Sequence, residues 1–170
     1  EDCAEAVGSY SKGKHVGLNA DFATFSFFGN KTITTGEGGM VVTNYRNLYN
    51  LAQIKKNHGM SPKNKYYHLA NGLNFRMTNL QAAIGLAQME QINKIINKKK
   101  ILSEKYIKLL TKNKYIEYQY TNQKDVNSYW LFVIKLKDNL SKYKNELIKT
   151  FNKKNYDVRR IFYSLDEMPV

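Results

Sequence analysis

The chain is poor in cross-links and stops: among 170 residues there are one cysteine, two prolines and one tryptophan. A lone Cys3 excludes an intrachain disulfide framework, so order must come from an apolar core, which this length can supply. No apolar run is long enough to span a bilayer, and there is no internal repeat or low-complexity block. Acidic residues are also scarce, 14 against 27 lysines and arginines, giving a net charge of +13. Such a balance attracts phosphates, and thirteen tyrosines offer stacking surface. Yet the lysines are scattered, and no zinc ligand set, helix-turn-helix spacing or aromatic ribonucleoprotein motif accompanies them, so nucleic-acid binding is not expected. The three histidines, His15, His58 and His68, stand too far apart for a metal pair on one helix. A small anionic ligand accounts for part of the charge instead.

What the chain does have is concentrated in Ser26-Phe27-Phe28-Gly29-Asn30-Lys31-Thr32-Ile33-Thr34-Thr35-Gly36-Glu37-Gly38-Gly39. Runs rich in strand formers, Asp21–Phe25 and Met40–Thr43, flank it, so Lys31 is held in a loop between strands, where an amine can condense with an aldehyde. Pyridoxal phosphate needs such an amine, an acid for its ring nitrogen and donors for its phosphate. Asp2 supplies the acid and Ser26 a hydroxyl, while Gly36, Gly38 and Gly39 admit close backbone approach. The same run also reads as a hairpin turn with a solvated lysine, and spacing alone leaves both open.

Three motifs, in order, add a resemblance: Glu1-Asp2-Cys3-Ala4-Glu5-Ala6-Val7-Gly8, the Lys31 loop, and Gly72-Leu73-Asn74-Phe75-Arg76-Met77-Thr78-Asn79-Leu80-Gln81-Ala82-Ala83-Ile84-Gly85. Together they resemble the DegT/DnrJ/EryC1/StrS nucleotide-sugar aminotransferases. The resemblance implies a fold type I α/β architecture: the second half of a large, mostly parallel-sheet domain over residues 1–97, and a small C-terminal α+β domain over 98–170. It implies pyridoxal 5'-phosphate as cofactor, Lys31 as the amine that binds its aldehyde and shuttles the proton, Asp2 on the pyridine nitrogen, and Ser26 on the phosphate. Position 5, commonly Gln or His near the phenolic oxygen, is here Glu5, whose carboxylate must be neutral there or turn towards substrate. Asn74 is expected to reach the phosphate of a neighbouring subunit, hence a homodimer with shared active sites, and Arg76 to support that loop.

The stretch Asp157–Asp166 is similar to the family's sugar-nucleotide loop, which implies substrate roles for Arg159 and Asp166, with His68 a further candidate. Arg160 stands where proline is usual and Asp166 where histidine is, so the hexose contacts depart from the family pattern. The implied reaction moves an amino group from glutamate to the C4 ketone of a nucleotide-linked 4-keto-6-deoxyhexose. Phe25–Lys31, Glu5 and Asn127–Trp130 favour GDP-4-keto-6-deoxymannose, for surface-polysaccharide synthesis in the cytoplasm. A UDP- or dTDP-linked ketosugar, or an inactive truncated remnant, is the alternative. Family members are longer, so these residues are expected to be the C-terminal half, with little or no activity alone.

Periodicity sets the remaining expectations. Ala23–Phe28 and Gly39–Thr43 read as central strands of a mostly parallel sheet. Leu48, Leu51, Ala52 and Ile54 share a helix face, with Gly59 as its stop, and residues 61–71 form a loop. Thr78 with Gln81 is a capping box opening one long helix, its apolar face interrupted at Lys98-Lys99-Lys100. Tyr118–Tyr120 and Tyr129–Leu136 read as strands, and Lys144–Lys154 as an amphipathic helix. Trp130 is expected to pack the small lobe, and Met77 and Met89 to take core or interface positions.

Overall fold

Lys12 and Gly13 both take positive φ, 50° and 79°, and turn the chain tightly between β1 (Tyr10–Ser11) and β2 (Lys14–His15). That is the type I′ geometry, whose twist matches an antiparallel pair, and Tyr10 lies opposite His15. The computed structural model describes residues 1–169. They fall into two compact units, Glu1–Ser103 with Thr121–Trp130, and Glu104–Tyr120 with the chain from Leu131 onward.

In the first unit β3 (Ala23–Ser26) pairs with β4 (Gly39–Val42), Ala23 opposite Val42 and Ser26 opposite Gly39. The pair is antiparallel, where central strands of a mostly parallel sheet were expected. The link agrees with this: residues 27–38 hold no helix, and a parallel pair is usually joined by a helical crossover. Nor is β4 central within the described residues, since Met40 and Val41 are exposed. The parallel contact that does occur is a bridge between Asp2 and Thr24. Cys3, Ala23, Phe27 and Ile33 are the buried apolar side chains, so the core of this unit is centred on β3 and the loop after it.

Helix α1 (Arg46–Lys55) is followed by a segment that folds back onto its end. His58 N donates to Leu73 O, Leu73 N to Lys55 O and Phe75 N to Lys56 O, at 2.9–3.0 Å. Helix α2 (Asn79–Met89) opens with the expected capping box, the Thr78 hydroxyl accepting from Gln81 N at 3.3 Å and the Gln81 side chain from Thr78 N at 2.9 Å. It does not run on as one long helix. Gln91 N turns to Gln88 O, and α3 (Ile92–Leu110) starts anew. Lys98–Lys100 lie inside α3, and its face is not wholly interrupted there. Lys99 is half-buried, and its Nζ donates to Trp130 O at 3.1 Å, so its aliphatic stem covers the face. No helix among the described residues is long and apolar enough to cross a membrane.

The second unit pairs β5 (Ile116–Tyr118) antiparallel with β6 (Ile134–Leu136), beside stacked Tyr106 and Phe132 rings at 5.1 Å. β5 lies two residues before the expected Tyr118–Tyr120, and β6 is shorter than the expected Tyr129–Leu136. Tyr129 has φ +50°, incompatible with extended backbone, and Val126 bridges to Tyr10, which commits residues 121–130 to the first unit. Helix α4 (Lys144–Lys153) follows a 3₁₀ turn and forms as its periodicity requires.

One glycine governs the fold-back after α1. Gly59 has φ +69°, and a Cβ there would overlap the Ala70 carbonyl oxygen, which is backbone and cannot swing away. Gly59→Ala is expected to destabilise the first unit by about 1–3 kcal/mol. A urea midpoint equal to that of the unsubstituted protein would refute this.

Candidate active site

Residues 1–5 lie along β3 because their backbone is bonded to it. Cys3 N donates to Thr24 O at 2.8 Å, and Thr24 N to Glu1 O at 3.0 Å. Extended backbone alternates its side chains, so burying Cys3 turns Asp2 to the other, exposed face. Bridging with Thr24 gives Asp2 and Thr24 a common side, which Ser26, two residues on, shares. Asp2 Oδ1 accepts from Ala4 N at 3.0 Å, and Ser26 Oγ from Phe28 N at 3.3 Å. A turn closed by Ala6 N on Cys3 O then brings Glu5 to the loop after β3. There the Lys31 ammonium donates to Glu5 Oε1 at 3.2 Å. The Lys31 side chain keeps 13% of its exposure, against 42% for Glu5, so the amine is sheltered but reachable.

Helix α2 fixes the loop behind Lys31. Gln88 accepts from Thr34 N at 3.0 Å and donates to Thr34 O at 2.6 Å, while the Gln81 amide donates to Glu37 O at 3.0 Å. Within the loop, Thr34 Oγ1 donates to Phe27 O at 3.0 Å and accepts from Gly36 N at 2.9 Å. Gly38, at φ +146°, packs so closely that a Cβ would sit 2.5 Å from Thr35 Oγ1. The result is a rigid strand-loop-strand unit presenting one amine, two carboxylates and a hydroxyl.

The other candidate residues have their own bonding partners. Asn74 bridges to Asn57 and accepts from Arg76 Nε at 3.2 Å. His68 bridges to Met60, and its Nδ1 lies 2.7 Å from His58 O. Among the described residues, neither bonds to Asp2, Glu5, Ser26 or Lys31. In the second unit Arg159 pairs with Asp157 at 2.8 Å, and Arg160 pairs with Glu167 at 3.1 Å and lies over the Tyr163 ring. Asp166 is fully exposed, and a hydrogen bond from Ser164 together with its own backbone N–H holds its carboxyl below the usual range.

Trp130 is the residue that sequence reasoning misplaced. It belongs to the first unit, not the small lobe: its ring centroid lies 4.4 Å from Lys31 Nζ, and its Nε1 donates to Asn30 O at 2.8 Å. No signal near Trp130 marks this placement, which depends on Ser128 meeting Ser9, 119 residues away.

A lysine loop flanked by an acid-bearing segment paired to the preceding strand defines a class of chain. The family described as "DegT/DnrJ/EryC1/StrS aminotransferase family" matches residues 1–170, and the chain belongs to it. The GDP-perosamine synthase of Escherichia coli O157:H7 is 42% identical and that of Vibrio cholerae 40%, each over 100% of this chain. The chain spans 46% of the length of each. Among solved structures, Helicobacter pylori PseC, an aminotransferase involved in the biosynthesis of pseudoaminic acid, superposes with a TM-score of 0.93. It is 28% identical, and the match covers 99% of this chain and 46% of that one.

Cys3 reports on the segment that carries Asp2 and Glu5. Burial, and then the neighbouring Glu1 carboxylate, push its thiol above the ordinary value. The native state therefore keeps this proton where the unfolded chain loses it. The associated stability is complete below about pH 8.5, where an unfolded thiol titrates, and is lost as pH rises through the native value. Iodoacetamide is expected to label Cys3 slowly at neutral pH and readily in denaturant, and Cys3→Ala to remove this part of the alkaline slope in stability. Fast labelling of the native protein would contradict the burial.

Proposed function

We propose that this chain is the lysine-bearing part of a pyridoxal-phosphate-dependent sugar aminotransferase. The reaction moves the amino group of glutamate to the C4 ketone of GDP-4-keto-6-deoxymannose, giving GDP-perosamine for surface polysaccharide. The observation that carries the reading is the sheltered Lys31 amine 3.2 Å from Glu5, on a loop continuous with the strand that Asp2 bridges. The sugar and nucleotide are supported by the two perosamine synthases that match along the whole chain.

The donor set suits the cofactor. An amine for its aldehyde, a carboxylate for its ring nitrogen and a hydroxyl for its phosphate come from two backbone-paired segments, and Asp2 Oδ2 has no bond among the described residues. Lys31, Asp2 and Ser26 would hold it in those three roles. Bound there, the cofactor supplies an electron sink that makes the proton on the neighbouring carbon removable.

The protein's own groups do the rest. Before the Lys31 amine can attack a carbonyl its ammonium must lose a proton, and the Glu5 carboxylate is the acceptor in contact with it. Once free, Nζ takes the proton from the α-carbon of glutamate and, in the second half of the cycle, returns one at C4 of the sugar. Asp2 would accept a hydrogen bond from the ring nitrogen and so favour its protonated form. His68, Arg159 and Asp166 are assigned to the nucleotide sugar, and Asn74 to the phosphate of a neighbouring subunit in a homodimer. Glu1–Ser103 with Thr121–Trp130 is the large-domain part, and Glu104–Tyr120 with the chain from Leu131 onward the small domain, of this cytoplasmic enzyme.

The test is mass spectrometry of the full-length protein incubated with glutamate and GDP-4-keto-6-deoxymannose. Conversion of the ketone to an amine is expected. Lys31→Ala is expected to lower turnover by at least about 100-fold while the cofactor still binds non-covalently. Undiminished turnover in that variant would overturn the assignment.

A further inference from the structure

We propose that Trp130 is a positioning residue for the reactive amine: its indole face holds Lys31 Nζ, and its indole N–H holds the loop that carries Lys31. The inference rests on reading Lys31 as the reactive amine, and it adds a residue to that site.

Two contacts from one side chain converge on consecutive residues. The Trp130 centroid is 4.4 Å from Lys31 Nζ, and Nε1 donates to Asn30 O at 2.8 Å. Indole is the strongest of the side-chain partners for a cation lying over a ring. A lysine has a flexible four-carbon stem and a point charge, so one contact leaves its tip free to swing. With the Glu5 carboxylate at 3.2 Å and the indole at 4.4 Å, the ammonium is held by two groups of different chemistry. Fixing Asn30 O at the same time anchors the root of the stem. Tip and root are thus set by one ring.

The ring is itself held firmly, and at a cost. Tyr129 takes φ +50°, a region that bulky residues avoid. Asn127 Oδ1 accepts from Tyr129 N at 2.7 Å and closes that turn. Ser128 is buried, with its Oγ 2.9 Å from Ser9 Oγ and its N donating to the same hydroxyl at 3.1 Å. Lys99 of α3 donates to Trp130 O at 3.1 Å, and burial holds that lysine below its ordinary pKa. Two separate parts of the first unit, at Ser9 and Lys99, therefore converge on residues 127–130. A backbone conformation this unfavourable persists only where its surroundings over-determine it, and what it delivers is the indole at Lys31.

The test measures the amine itself, without cofactor or substrate. Full-length protein, Trp130→Leu and Trp130→Phe are each treated with trace acetic anhydride, and acetylation of Lys31 relative to Lys55 is read by peptide mass spectrometry. In Trp130→Leu the ammonium loses its ring partner and the stem is released, so Lys31 labelling is expected to rise about 2–5-fold. Trp130→Phe keeps a weaker ring face but not the N–H, and its labelling should fall between the two. Unchanged Lys31 labelling in Trp130→Leu, or equal rises at Lys31 and Lys55, would overturn the proposal. If Trp130→Leu does not fold, Trp130→Phe decides alone: a selective rise at Lys31 supports the inference and no rise refutes it. A failed aminotransferase reading would show instead as Lys31→Ala retaining turnover, with this labelling pattern intact.

Discussion

Two backbone hydrogen bonds, Cys3 N to Thr24 O and Thr24 N to Glu1 O, set where chemistry can happen in this chain. They join residues far apart in sequence into neighbouring extended segments. Once joined, alternation does the sorting: Cys3 goes into the core beside Ala23, and Asp2 goes to the face shared by Thr24 and Ser26. The turn after Cys3 then brings Glu5 to Lys31. Without this pairing, the acid, the amine and the hydroxyl are three unrelated side chains.

The loop bearing Lys31 needs a second support, because β3 and β4 constrain only its ends. Helix α2 supplies it through two glutamines, Gln81 on Glu37 O and Gln88 on both backbone groups of Thr34. A spacing of seven residues is two helical turns, so one face presents both amides to the loop. Gln81 also closes the capping box with Thr78. Initiation of the helix and immobilisation of the lysine loop are thereby coupled through a single side chain. Gly85 lies between the two glutamines, where a Cβ would come within 2.9 Å of Thr35 Cγ2. The helix can approach the loop this closely because that position has no side chain.

Much of this was legible in the residues, and the limits have physical causes. The capping box and α4 follow from local chemistry, in which the deciding atoms lie within a few residues of one another. Family membership was legible from three ordered motifs spread along the first unit. Strand direction was misjudged because apolar content registers burial but not pairing, and the helix-free link after β3 was the better guide. Lys98–Lys100 reads as a break only if a lysine is treated as wholly polar, yet the Lys99 stem covers the face and its tip caps Trp130 O. Trp130 was beyond reach for a different reason. Its position depends on a left-handed tyrosine and a buried Ser9–Ser128 contact between residues over a hundred apart, and no local pattern encodes that.

The pair between Lys31 and Glu5 is better understood through chemistry than through stability. Glu5 keeps 42% of its side-chain exposure, and pairs so open to water are typically worth about 0–1 kcal/mol. Such a pair returns little stability, and a lysine in a purely structural role could sit in solvent. The strained turn that brings the indole to the same ammonium has a cost of its own. A site that spends stability on one amine, with a carboxylate on one contact and an aromatic face on another, fits an amine that must stay in one place through changes of charge. A carboxylate can accept its proton, and the indole offers an apolar surface to the neutral form as well as a negative face to the charged one. Neither contact would be expected on a lysine kept only for solubility.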